Sequence, residues 1–186
     1  MLGHLKQSAG LYAMMLVGLV WPDIDLAIPF LPHRSALTHS VLAALVLLAF
    51  LPERVVAGML LGLAVTLTAD LFPHAWVGFA TIHVPLLGSL KLLSPLWLLL
   101  NVFAALLLAF HLLSHHGHNR PERLPLAAAL ALAVFYGLLV EHKIVPMLVF
   151  AAIGWFGLRI YARAFGIGVF GVRGFPHKSV DPPPTG

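Results

Sequence analysis

Six apolar runs, separated by proline or by short polar stretches, fill most of the chain between Gln7 and Ala164. A helix needs roughly 20 apolar residues to cross a bilayer, with a range of about 17–25. The runs are Gln7–Val20, Ala36–Leu51, Arg54–Phe72, Pro95–Ser114, Leu124–Val140 and Ile144–Ala164. Pro52, Pro73, Pro95, Pro121, Pro125 and Pro146 sit at or near their ends, where the missing N–H does least harm. The first two runs are short for a full crossing, so local bilayer thinning or extension by their polar ends is expected. Composition agrees: 60% of residues are hydrophobic and 10% are charged, against about 25% charged in a soluble domain. The expected fold is all-α: one polytopic membrane helix bundle of six spans over residues 1–165, with a flexible Gly/Pro-rich tail over 166–186. Ala75–Lys91 is apolar but broken by Gly78, Pro85 and Gly88. It is expected to be a re-entrant or interfacial loop between the third and fourth spans, because non-helical backbone at that depth must be buried in protein or line a wet cavity.

Lysine and arginine predict the orientation. Lys6, Arg54, Arg120, Arg123, Arg159, Arg163, Arg173 and Lys178 fall on one side of a six-span bundle, and Arg34, Lys91 and Lys143 on the other. That excess places both termini in the cytoplasm. The net charge of +4 then reads as a topology signal and contact with anionic lipid, not as a nucleic-acid surface. The segment after MLGHLK ends in WPDID rather than a small-residue cleavage site, so it is expected to be retained. Cysteine is absent, which excludes disulfides, thiolate metal sites and cysteine nucleophiles.

On that topology three polar groups share the outer side. Asp23 and Asp25 follow the first run. His33, Arg34, Thr38, His39 and Ser40 lead into the second. Asp70 ends the third, with His74 and His83 after it. Two carboxylates in an Asp-x-Asp pair repel each other unless a proton or a cation intervenes. Carboxylates with neutral imidazoles suit a divalent metal: zinc first, with manganese, magnesium or iron(II) as alternatives. Asp23, Asp25, His33, His39 and Asp70 are the candidate ligands. Asp23 and Arg34 are the candidate catalytic groups. Thr38 and Ser40 read as hydrogen-bonding groups at a helix start, and His74 and His83 as further candidates. A different reading keeps the same cluster as a structural metal site or an ion pathway in a non-catalytic or transport-type protein. His111, His115, His116 and His118 read as a solvated connector on the cytoplasmic side.

Pro22-Asp23-Ile24-Asp25, His33-Arg34, Thr38-His39-Ser40 and Gly62 through Asp70, with Gly3-His4 near the start, resemble the motifs of the LexA-regulated, membrane-bound metal-dependent hydrolase family. The likeness covers about the first half of the chain. That family is distantly similar to zinc-dependent phospholipases C and single-strand-specific zinc nucleases. The resemblance implies phosphoester hydrolysis, a bacterial inner membrane, and a lipid or lipid-linked phosphoester as substrate. Two departures stand out. Thr66 occupies the place of the family's histidine in G-x3-H-x3-D, and a threonine hydroxyl is a poor zinc ligand. His4 lies 18 residues before Asp23, about 27 Å along one straight helix, which leaves it outside the expected site.

Overall fold

A computed structural model describes residues 2–73, 79–116 and 123–165, and the side chains of 8–73, 79–115 and 123–165. The helices are α1 (Leu2–Val20), α2 (Leu42–Leu47), α3 (Glu53–Ala69), α4 (Ser94–His116), α5 (Arg123–Leu139) and α6 (Val145–Phe165). A 3₁₀ helix, Trp21–Ala27, continues α1, and another, Lys91–Leu93, leads into α4. Two short antiparallel strands, β1 (His83–Val84) and β2 (Gly88–Ser89), make a hairpin between α3 and α4.

α3 is the axis of the bundle. Every residue from Val56 to Ala69 is buried, which is what a helix apolar on all faces requires. α1 lies on one side of it with backbones in close approach. A methyl group added at Gly58 would stand 2.0 Å from the Leu11 carbonyl oxygen, and at Gly62 1.9 Å from that of Met15. At Gly18 it would stand 2.1 Å from the Met59 carbonyl oxygen. Gly58 and Gly62 form a G-x-x-x-G pair on α3, the small-residue spacing that lets membrane helices touch. Because Leu11 meets Gly58 and Met15 meets Gly62, α1 and α3 run parallel.

Parallel neighbours force the intervening chain to return the full length of the bundle. That return corrects the expected second span over Ala36–Leu51: only Leu42–Leu47 is α-helical. The Trp97 Nε1–H donates to the His39 carbonyl at 3.0 Å, and His115 Nδ1 lies 3.9 Å from Glu53, so residues 39 to 53 run back alongside α4. Residues 35–41 are taken up by the turns that serve Asp25 and His39, and beyond α2 Ala49 and Phe50 donate to carbonyls three residues back, in the 3₁₀ manner. His39 consequently lies in the turns before α2, not in a helical first turn.

The remaining helices fall close to their expected ends. Among the described residues three helical stretches are long and apolar enough to cross a membrane: Ser8–Ala27, Lys91–His115 and Val145–Phe165. α5 is apolar but shorter. Of the expected loop Ala75–Lys91, residues 75–78 lie outside the described part. The rest is the hairpin, docked by a parallel bridge between Ser35 and His83.

Candidate functional site

The site forms where α1 and α3 end side by side. Pro22 has no N–H, so it cannot donate to the Leu19 carbonyl three residues back. The Thr66 hydroxyl donates to that carbonyl instead. Thr66 thus faces α1, and its role is to satisfy a backbone acceptor. The register it helps set brings the 3₁₀ turn of Trp21–Ala27, with Asp23 and Asp25, beside Asp70 at the C-cap of α3.

Asp25 is 2% exposed and its carboxylate is fully engaged. Oδ2 accepts the Ser35 backbone N–H at 2.9 Å and the Thr38 hydroxyl at 3.0 Å. Oδ1 lies 3.3 Å from His33 Nδ1. Charge-assisted bonds of this kind are roughly twice as strong as neutral ones, and they gather 33–38 around the carboxylate. Arg34 sits within that loop at φ 61°. Its carbonyl accepts the His83 backbone N–H at 2.9 Å, and its Nε reaches to 4.0 Å from Asp70 Oδ1.

His39 is 1% exposed and its surroundings select the tautomer. Nδ1 lies 3.1 Å from Thr38 Oγ1 and 3.2 Å from the Ser35 carbonyl. The single hydroxyl proton of Thr38 serves Asp25 Oδ2 or the Ser35 carbonyl, both acceptors only. Neither neighbour then has a proton to offer Nδ1, so Nδ1 carries its own. Nε2 is left facing Asp70, 3.3 Å from Oδ2. That oxygen is buried and makes no hydrogen bond among the described residues. A carboxylate oxygen and an imidazole nitrogen this close and out of water are favourable only with a proton or a cation to share. Their spacing also fits a shared cation: bonds of about 2.0–2.1 Å in a tetrahedron hold neighbouring donors about 3.3 Å apart. Among the described residues, no three His, Asp or Glu side chains converge on a point that could hold a metal. His39 and Asp70 are a pair.

The other sequence-derived candidates divide. Asp23 is exposed and lies within electrostatic reach of Asp70, His39, Asp25 and His33. His33 is half-exposed and faces Asp25. The Ser40 hydroxyl donates to the Leu37 carbonyl at 3.1 Å. His83 Nδ1 pairs with the His33 carbonyl at 3.1 Å, so this side chain braces the loop. His4 belongs to the first turns of the continuous α1, about 24 Å from its site end. His74 lies outside the described residues.

Three residues join the site that the sequence reading passed over. Asn101 Oδ1 accepts the Val41 N–H at 3.1 Å, and its Nδ2 donates to the Trp97 carbonyl at 2.9 Å. Trp97 in turn holds the His39 carbonyl. The start of α4 thereby fixes the backbone on both sides of Ser40. Asn101 carried a readable signal, since a polar side chain within an apolar run is itself a functional flag. Tyr136 of α5 lies within electrostatic reach of Asp23, Glu141 and Asp70; nothing in its spacing marked it. The chain matches no protein-family model, no curated protein and no solved structure.

Proposed function

We propose that the protein is a metal-dependent hydrolase of the bacterial inner membrane, acting on a lipid or lipid-linked phosphoester at the outer headgroup level. The observation that carries this reading is the buried Asp70 Oδ2, which has no hydrogen-bond partner among the described residues and lies 3.3 Å from His39 Nε2. The PDID, HR and THS motifs support it independently. His39 and Asp70 would hold the ion, zinc first and manganese or magnesium as alternatives, with Asp23 a further carboxylate within electrostatic reach of both. A divalent ion in that place supplies a water of lowered pKa and polarises a phosphoryl oxygen. Asp23, exposed and without a hydrogen bond among the described residues, would be the group to accept a proton from water there. The Arg34 guanidinium turns from Asp70 to the phosphate, which it can grip with two N–H groups. Asp25 touches no substrate. It positions His39 through Thr38 and holds Arg34 in its loop.

The return through 39–53 counts as a passage in this reading, giving six in all and leaving the start of α1 and the end of α6 opposite the site. Arg54, Arg123, Arg159 and Arg163 at that end orient it to the cytoplasm. The test is turnover. Purified protein should hydrolyse an aryl phosphodiester, or phosphatidylglycerol in mixed micelles, only with divalent metal, and should lose that activity to a chelator. No turnover of either substrate across zinc, manganese and magnesium would refute the proposal.

A further inference from the structure

We propose that the hairpin tip between β1 and β2 is a membrane-interface anchor, which seats the mouth of the Asp/His site at the boundary between lipid headgroups and acyl chains. The tip is a turn in which the Leu87 N–H donates to the Val84 carbonyl at 3.1 Å. Pro85 takes its second position and Leu86 its third, at φ 69°. That is type II geometry, whose third position favours glycine or asparagine because a β-carbon is strained there. Here a leucine is strained in order to be displayed. Leu86 is 106% exposed and Leu87 86%. Other apolar residues at this end of the bundle are exposed in the same way: Phe30 84%, Leu26 68%, Leu92 84% and Leu93 60%.

Position ties this apolar collar to the site. β1 bridges to Ser35, whose N–H holds Asp25. The Ser94 hydroxyl accepts the Ile82 N–H at 3.0 Å, so the hairpin is fastened to the start of α4. The occupant is a phospholipid leaflet. The collar continues directly into the membrane-length stretch Lys91–His115, and Lys91 places a cation among the leucines at the height of anionic headgroups. Strained or isolated leucines at a water-facing tip would have no compensating burial, whereas the acyl boundary provides it. The inference deepens the hydrolase reading and rests on it for one consequence: substrate reaches the site from the leaflet, which favours a lipid over a soluble phosphoester.

The natural chain has no cysteine, so a single environment-sensitive fluorophore can be placed at Leu87→Cys in the full chain. In vesicles of phosphatidylcholine and phosphatidylglycerol, its emission should shift to the blue and be quenched by lipids spin-labelled near the headgroup. Water-like emission would overturn the anchor. So would blue emission without lipid quenching but with excimer formation from a pyrene label, since a second copy would then cover the tip. In the same vesicles, Leu86→Asp with Leu87→Asp should raise KM for phosphatidylglycerol at least tenfold and leave turnover of the soluble aryl phosphodiester unchanged. Equal losses on both substrates would overturn the access route. Absence of all activity in the natural chain would instead refute the hydrolase reading, and the fluorescence result would still decide the anchor.

Discussion

Asp25 and Asp70 differ in how far the protein has satisfied them, and that difference predicts opposite effects of substitution. Asp25→Ala strands the buried Ser35 backbone N–H, while the Thr38 hydroxyl keeps the Ser35 carbonyl as its acceptor. Leaving such a group unpaired costs about 1–3 kcal/mol, so the variant should unfold at clearly lower denaturant concentration. Asp70→Asn removes a buried charge whose Oδ2 has no hydrogen-bond donor among the described residues, and supplies an N–H for His39 Nε2. Its metal-free form should be at least as stable as the natural protein while its metal binding is lost, a trade of stability for function. Denaturant unfolding without metal checks both. Thr66 makes a third case. Thr66→Val should cost about 1–3 kcal/mol by leaving the Leu19 carbonyl unpaired, and Thr66→Ser should cost little. Thr66→His, despite matching the family pattern, should destabilise, because this 4%-exposed position packs against α1 and has no room for a ring.

Among the elements, the α1–α3 contact decides whether a site exists at all. α1 leads to Asp23 and Asp25, and α3 ends in Asp70. Gly62→Ala or Gly58→Ala would place a methyl group about 2 Å from a backbone carbonyl of α1, and overpacking of this kind typically costs about 1–3 kcal/mol. Both variants should lose stability and weaken metal binding together. Gly154→Ala, with nothing within 4 Å of its added methyl, should do neither, and thermal unfolding alongside metal titration separates the two outcomes. The helices of the second half were legible in the sequence because length, apolarity and proline placement act locally. The second span was not. Its shortening follows from the turns over 35–41 that serve Asp25 and His39, which form only once the chain folds back. The site was legible in part. Asp25, His39 and Asp70 stood out as charges between apolar runs, but Asp25's full engagement by Ser35 and Thr38 depends on a loop geometry that spacing does not encode. Trp97 and Asn101 act through backbone contacts 58 and 60 residues away in sequence, beyond any local pattern.

Among the described residues, one end gathers Asp23, Asp25, Asp70, His33, His39 and His83, and the other end carries Arg54, Arg123, Arg159 and Arg163. The account therefore predicts sidedness. Cysteines placed at Ala27 or Ser89, both exposed at the site end, should react with an impermeant maleimide added to intact spheroplasts. A cysteine at Arg123, at the opposite end of the bundle, should react only after permeabilisation. The reverse pattern would put the site in the cytoplasm and remove the outer leaflet as its substrate pool.

If His39 and Asp70 share a cation, elemental analysis of the purified protein will find it. The natural chain and Asp23→Ala, Asp25→Ala, His39→Ala and Asp70→Asn variants would be prepared without added metal and assayed for zinc, manganese and iron. The account predicts near-stoichiometric metal in the natural chain, loss in the His39 and Asp70 variants, and reduced occupancy when Asp25 can no longer orient His39. A natural chain without metal that also fails to take up zinc, or full occupancy in the Asp70→Asn protein, would contradict it.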